Sequence, residues 1–218
     1  MTYIVPKKVY YIHIPKTGGT TEKYSLIEKY GDEFQEVPTG KHSPYDEMYK
    51  DYDCIYTHVR NPHNRMLSMY LFYYELQYMP QKYISPDRIE FQISEHKQTI
   101  GLNATELFMK NPSKFDKMLF NKLNILTKDP NTENYCRWLE IIGKANKEMD
   151  EYFVYRPWLQ QNLWIKSNVV AKKIEDENYD VHLNTTTRMP EHSDSEYIDA
   201  GKTLIEDLYK EDFDLFNY

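Results

Sequence analysis

Residues 9–24, VYYIHIPKTGGTTEKY, decide the fold of this chain. The run at 8–14 is rich in β-forming residues and is followed by a proline, which predicts a buried strand. The glycines and hydroxyl side chains that come next lead into a predicted helix, capped by Thr20 or Thr21 and ended by Gly31. The sequence therefore predicts a strand, a loop and a helix, with one lysine placed before the glycines.

The loop in this unit has the composition of an anion-binding site. Backbone N–H groups at a helix N-terminus attract negative groups, and Gly18 and Gly19 let the backbone approach such a group closely. Lys16 adds a positive charge. Hydroxyl donors come from Thr17, Thr20 and Thr21. The alternative is an ordinary glycine-containing turn with a surface lysine. Because the lysine precedes the glycines, the loop is not a Walker A sequence, and a metal-dependent kinase is disfavoured.

A second strand, loop and helix begin at residues 53–59, DCIYTHV. Asn61 is the expected cap of this helix, and Pro62 suits its first position. Arg60 stands at the strand end, and Ser68 lies two helical turns beyond Asn61 on the same face. These two side chains could hold a second phosphate. The alternative is that Arg60 pairs with a carboxylate and Ser68 is only a small residue.

The rest of the chain is mainly helical in pattern. Helices are predicted around residues 104–110, 113–122 and 132–149. Residues 167–176 are a third strand candidate, and residues 195–216 have the pattern of an amphipathic helix. Two strand–loop–helix units favour a parallel sheet with helices against it. We therefore expect a single α/β domain over residues 1–218, with three layers and a central parallel sheet.

Composition limits the classes of function. The net charge is −7, whereas a general nucleic-acid or membrane-surface binder is usually basic, so any anion site must be local. Cys54 and Cys136 lack metal-ligand spacing, and Cys54 is expected to be a small core residue. No segment approaches the roughly 18 apolar residues that cross a bilayer. We expect a soluble, cytoplasmic protein that binds neither nucleic acid nor a metal.

Two motifs together carry a resemblance to a known family. IHIPKTGGTT, residues 12–21, and VRNPHNRMLSMY, residues 59–70, closely resemble the phosphate-binding motifs of the sulfotransferases that use PAPS, 3′-phosphoadenosine 5′-phosphosulfate. The likeness is to the glycan-modifying branch, which includes heparan sulfate 2-O-sulfotransferase and the chondroitin sulfotransferases. It implies a P-loop-NTPase-like sulfotransferase fold. It also implies that the 5′-phosphosulfate is held by Lys16, Thr17, Gly18, Gly19, Thr20 and Thr21, and the 3′-phosphate by Arg60 and Ser68.

The likeness continues in three later segments. Residues 155–178, YRPWLQQNLWIKSNVVAKKIEDEN, and residues 204–218, LIEDLYKEDFDLFNY, resemble the family's later segments. Residues 181–188, VHLNTTTR, resemble the loop that closes over the nucleotide, which implies that Arg188 reaches the 3′-phosphate. The alternative for Arg188 is an arginine in solvent. Core or structural positions are expected for Trp158, Trp164 and Arg65, and a substrate contact could come from Gln160 or Gln161.

His42 is singled out by the resemblance. Residues 40–48, GKHSPYDEM, resemble the segment in which many family members carry a histidine base. Sulfuryl transfer to a hydroxyl requires removal of its proton, and a histidine suits this near neutral pH. The alternative is a surface histidine in a loop. His13 and His58 are expected in the core or behind the site.

The resemblance implies an enzyme that transfers the sulfuryl group of PAPS to an acceptor hydroxyl of a glycan or a small molecule. Lys16 and His42 would be the catalytic residues: Lys16 would offset charge on the leaving group, and His42 would accept the acceptor's proton. No metal is required. Two alternatives stay open, a non-catalytic protein that binds PAPS or another nucleotide, and an ATP-dependent, kinase-like phosphotransferase.

Overall fold

A computed structural model describes residues 2–37, 43–78, 114–147, 157–179 and 193–218. Five strands form one sheet in the spatial order β3-β1-β2-β4-β5. The strands are β1 (Tyr3–Val5), β2 (Val9–Ile12), β3 (Gln35–Glu36), β4 (Cys54–Val59) and β5 (Val170–Lys173). The helices are α1 (Gly19–Tyr30), α2 (Pro62–Tyr78), α3 (Lys114–Leu126), α4 (Thr132–Lys147), α5 (Asp194–Leu208) and α6 (Lys210–Phe216).

The sheet is mixed. β4 lies between β2 and β5 and pairs with both in parallel, as predicted. The expected central parallel sheet is confirmed only in part, because β1 pairs antiparallel with both β2 and β3. A tight turn joins β1 to β2, with Lys7 at φ 58° and a hydrogen bond of 2.9 Å from the Lys8 N–H to the Val5 carbonyl. Such a short connection can join only antiparallel neighbours.

Alternating side chains divide the sheet into two buried faces. On one face, Tyr11 of β2 and Tyr56 of β4 lie with Leu26 of α1 in one apolar cluster. On the other face, Tyr10 clusters with Tyr49, which belongs to a short 3₁₀ helix. Both faces are therefore covered within the described residues, and the carboxyl ends of β2 and β4 lead into the two predicted motifs.

The helices α2, α4 and α5 share a second, larger core. Trp138 of α4 is fully buried there, in contact with Tyr70 of α2 at a ring-centroid distance of 5.5 Å. Ser193 caps α5 through a capping box with Glu196. The predicted helix over 195–216 is broken into α5 and α6, which are separated by one residue.

Several smaller expectations can be compared with this fold. Helices at 113–122 and 132–149 and the strand at 167–176 are confirmed in substance, whereas 104–110 lies outside the described residues. Cys54 is exposed rather than buried, because it begins β4 at the end of the sheet, so that expectation is wrong. In the part of the chain described, no helix is both long enough and apolar enough to cross a membrane.

Candidate anion-binding site

The loop that follows β2 passes twice through left-handed backbone. Lys16 has φ 66° and Gly18 has φ 85°. Between them Thr17 is fully buried, and its hydroxyl donates to the Ile14 carbonyl at 2.8 Å. A lysine at positive φ is uncommon and is kept only where the surrounding structure imposes it. The loop conformation is therefore fixed by its own hydrogen bond and by its neighbours.

Both glycines of the loop lie against other side chains. A Cβ on Gly19 would overlap the ring of His13. A Cβ on Gly18 would lie 2.6 Å from Cδ1 of Ile174, which follows β5. Glycine at these two positions therefore lets the loop pack against His13 of the strand end and Ile174 after β5.

Gly18 also replaces the predicted cap of α1. It is the N-cap residue and, as a glycine, has no side chain that could make a capping hydrogen bond. Thr20 and Thr21 lie inside the first turn instead, so the prediction that one of them caps the helix is wrong. The left-handed Gly18 is the cap residue, two positions before Thr20 and three before Thr21. The cap residue of α1 thus places no side-chain acceptor at the helix N-terminus, which suits an anion.

One face of α2 lines this loop. The ammonium group of Lys16 lies 4.4 Å from the ring centroid of Phe72. Arg65, seven positions earlier, donates from Nε to the Pro15 carbonyl at 3.1 Å. Ser68 lies between these two positions on the same helical face and is 9% exposed. Ser68 therefore lies on the face of α2 that contacts the loop of Lys16.

Arg60 borders the same loop. Its Nη1 donates to the Lys16 carbonyl at 3.4 Å. Gln161 holds the Arg60 backbone: Oε1 accepts the Arg60 N–H at 2.8 Å, and Nε2 donates to the Arg60 carbonyl at 2.9 Å. Gln161 is itself held by Asp212, which accepts the Gln161 N–H at 2.7 Å. Gln161 thus positions Arg60, a role different from the predicted substrate contact.

Arg65 is a structural residue, as predicted. It is fully buried, and its guanidinium donates to three backbone carbonyls. Besides the carbonyl of Pro15, it binds those of Leu159 at 2.9 Å and Pro157 at 2.7 Å. Burial lowers the pKa of this group. The arginine joins the loop that follows β2, residues 13–18, which we call the anion loop, to the segment that precedes Gln161.

The start of α2 differs from the start of α1. Asn61 caps α2 as predicted, since its Oδ1 accepts the His63 N–H at 3.0 Å. The N–H of Asn61 donates to Glu175 Oε1 at 2.9 Å. Burial lowers the pKa of the Arg60 guanidinium beside this helix end, and the charges of Glu175 and Asp194 oppose that shift. Side chains of the protein therefore bind the N–H groups of Asn61 and His63 at the start of α2.

A buried polar cluster lies between α1 and the sheet. Tyr179 donates to Glu22 Oε2 at 2.6 Å, and Tyr56 donates to the other carboxylate oxygen. The Tyr179 oxygen is 3.3 Å from His58 Nε2, and His58 Nδ1 is 3.3 Å from the Tyr11 hydroxyl. Because Tyr179 gives its proton to Glu22, we assign the His58 proton to Nε2 and an acceptor role to Nδ1. The hydrogen bonds then run from the Tyr11 hydroxyl to His58, from His58 to Tyr179, and from Tyr179 to Glu22.

This cluster was found only partly from the sequence. His13 and His58 are buried, as expected. Glu22 and Tyr179 were not predicted, because they lie 157 positions apart in the sequence and meet only in the folded chain. The one sequence signal was the period-two alternation of aromatic rings and histidines in β2 and β4. Burial lowers the pKa of His58, against the charges of the carboxylates beside it.

His42 and Arg188 lie outside the described residues. The flanks of the segment that contains His42 are both held by Thr2. The Val37 N–H donates to the Thr2 carbonyl at 3.0 Å, and the Thr2 hydroxyl donates to the Ser43 carbonyl at 3.0 Å. Thr2 precedes β1 at the end of the sheet where β2 leads into the anion loop. Val37 and Ser43 therefore lie at the same end of the sheet as the loop.

The class defined by this fold is a mixed α/β protein with a five-stranded central sheet, in which a candidate anion-binding loop follows a parallel strand. Comparison with other proteins does not extend that class, since no family model, no curated protein and no solved structure matches the chain. Its function must therefore be argued from the residues described above.

Proposed function

We propose that this chain is a PAPS-dependent sulfotransferase with a P-loop-like, three-layer fold. One observation carries the proposal: Arg60 donates to the carbonyl of Lys16, in the loop that leads into the start of α1. Two cationic side chains and a helix N-terminus thereby border one loop. A nucleotide with phosphates at both its 5′ and 3′ ends needs two neighbouring sets of positive donors. The resemblance of the same two motifs to sulfotransferases supports this choice over ATP.

The residues of the site fit phosphate oxygens chemically. Backbone N–H groups, hydroxyls, an ammonium and a guanidinium are all donors to anionic oxygen. Residues 16–21 would hold the 5′-phosphosulfate of PAPS. Arg60 and Ser68 would hold the 3′-phosphate, joined by Arg188. PAPS would supply the sulfuryl group to be transferred.

The chemistry assigned to the chain needs one cation and one base. Lys16 would offset the negative charge that grows on the leaving phosphate, and the N–H groups at the start of α1 would support it. His42 would take the proton of the acceptor hydroxyl. Support for His42 comes from its neighbour Ser43, which Thr2 holds at the same end of the sheet as the loop. The acceptor is proposed to be a glycan or small-molecule hydroxyl, and a soluble, cytoplasmic location stays a prediction.

Two measurements test the proposal. Calorimetry should show binding of adenosine 3′,5′-bisphosphate without magnesium and weaker binding of ATP. Transfer of labelled sulfate from PAPS to a panel of glycan, phenol and alcohol acceptors should identify a product. Magnesium-dependent binding of ATP in preference to the bisphosphate would instead support the kinase-like alternative. Nucleotide binding with no transfer to any acceptor would support the non-catalytic alternative.

A further inference from the structure

One short 3₁₀ helix, Ile174–Asp176, touches both halves of the proposed nucleotide site. Ile174 is in contact with Gly18, since a Cβ added to Gly18 would lie 2.6 Å from Cδ1 of Ile174. The next residue, Glu175, accepts the N–H of Asn61 at the start of α2. This helix directly follows β5 and joins the loop proposed for the 5′ end to the helix proposed for the 3′ end.

The Glu175 carboxylate is bound through both of its oxygens. Oε1 accepts the Asn61 N–H at 2.9 Å, and Oε2 accepts the Tyr218 hydroxyl at 3.0 Å. The neighbouring His63 N–H already donates to Asn61, and Pro62 has no N–H. A carboxylate at a helix N-terminus makes the same kind of interaction that a phosphate makes there. Glu175 thus occupies a backbone donor at the helix end to which a phosphate beside Arg60 could bind.

Glu175 also acts on the cation proposed for the 3′-phosphate. Among the charges that raise the pKa of Arg60 against its burial, Glu175 contributes most and Asp194 comes next. The positive charge of Arg60 is therefore partly balanced by a carboxylate of the same chain. A second anion beside Arg60 would meet repulsion from Glu175 unless that carboxylate moved away.

We propose that Glu175 is an internal competitor of the 3′-phosphate, and that this phosphate binds beside Arg60 by displacing the carboxylate from the start of α2. The inference rests on the proposed function, because it takes the 3′-phosphate to be the ligand at Arg60. Glu175 then determines how strongly the site distinguishes nucleotides that carry a 3′-phosphate from those that do not.

The test compares two probes, adenosine 3′,5′-bisphosphate and adenosine 5′-monophosphate, by calorimetry on the full chain. Glu175→Gln keeps an oxygen acceptor for Asn61 and removes the charge. We expect it to bind the bisphosphate about tenfold more tightly, and the monophosphate unchanged within about twofold, because only the 3′-phosphate is repelled. Tyr218→Phe, which releases one carboxylate oxygen without changing the charge, should give a smaller gain of the same sign. Asp176→Asn, a neighbouring exposed carboxylate, is the charge-matched control and should change neither affinity.

The outcomes separate the inference from the function on which it rests. Tighter binding of the bisphosphate alone supports the competition. If the wild-type chain binds the bisphosphate and Glu175→Gln weakens it, or strengthens both probes equally, the competition is wrong while the nucleotide site stands. If neither the wild-type chain nor the variant binds the bisphosphate, both the site and the competition are wrong. Thermal unfolding of each variant shows whether a loss of binding comes from loss of the fold.

Discussion

Gln161 binds both backbone polar groups of Arg60. Its side-chain oxygen accepts the Arg60 N–H at 2.8 Å and its side-chain nitrogen donates to the Arg60 carbonyl at 2.9 Å. The Gln161 side chain thus makes, with the residue just after β4, the kind of paired hydrogen bonds that a neighbouring strand makes within a sheet. In turn, the Asp212 carboxylate of α6 accepts the backbone N–H of Gln161 at 2.7 Å. The position of Arg60 therefore depends on the last helix of the chain.

Gln161→Leu should destabilise the fold and weaken nucleotide binding. The substitution leaves two backbone groups of Arg60 without their partner, and each buried group left unsatisfied costs about 1–3 kcal/mol. Urea unfolding measures the loss of stability, and calorimetry with adenosine 3′,5′-bisphosphate measures the loss of affinity. Gln160→Leu is the matched control, because Gln160 donates to the Leu208 carbonyl at 2.6 Å and does not hold Arg60. Equal effects of the two substitutions on nucleotide affinity would contradict the positioning role.

Gly19→Ala should disrupt the anion loop through a steric clash. The added methyl group would overlap the ring of His13, and overpacking of this kind costs about 1–3 kcal/mol. Gly31→Ala is the control: Gly31 has φ 53° and open space around it, so it tests backbone strain alone. Both variants should be less stable in thermal unfolding, but only Gly19→Ala should lose affinity for the bisphosphate. Adding His13→Ala to Gly19→Ala should restore part of that affinity, and no recovery would argue against the clash.

The local units of this fold could be predicted from the sequence, whereas the pairing of its strands could not. β2 and β4 are apolar runs that end in strong turn and cap signals, so each was found with the helix that follows. β1 and β3 have only three and two residues, too few to show a period of two. The hairpin at Lys7 also lacks the glycine or asparagine that usually marks such a turn.

The candidate site could be predicted from the sequence only where one short segment contains all of its proposed chemistry. Lys16 and Gly18 could be found because the loop is continuous in sequence. The role of Gln161 depends on a contact with a residue 101 positions away, which no local pattern contains. The cap of α1 was assigned wrongly for a related reason: threonine is a good cap, but the left-handed backbone of Gly18, held against Ile174, starts the helix earlier.

Lys16→Ala should remove most sulfate transfer if the proposed function is right. Loss of one preorganised donor to a developing charge typically lowers the rate by roughly 10²–10³. The measurement is turnover of labelled PAPS at saturating acceptor. Lys7→Ala is the control, because Lys7 is also a lysine at positive φ but lies in the exposed turn between β1 and β2.

His42→Ala should likewise remove most turnover while retaining nucleotide binding, and normal turnover in both Lys16→Ala and His42→Ala would contradict the assigned roles.

His58 should make the fold less stable in weak acid. Burial lowers its pKa in the folded chain, whereas an unfolded histidine titrates near pH 6.5. As the pH falls below about 6.5 the unfolded chain gains a proton that folded His58 does not, so the contribution of His58 to stability is present above that pH and is lost below it. Glu22 and Glu177 oppose the shift and Lys172 adds to it, so the net direction is set by burial.

Urea unfolding of the wild type and of His58→Gln at pH 7.5 and pH 5.5 tests this direction. Glutamine should cost stability at both values, since it cannot keep the hydrogen bonds to both Tyr11 and Tyr179. The difference between the two proteins should be smaller at pH 5.5, because only the wild type loses the His58 contribution. His63→Gln, at a second histidine of the described residues whose pKa is lowered by burial, is measured separately so that its share can be subtracted. A difference that stays constant or grows towards pH 5.5 would mean that His58 is protonated in the folded chain, and the hydrogen-bond direction assigned from Tyr11 to Glu22 would then be wrong.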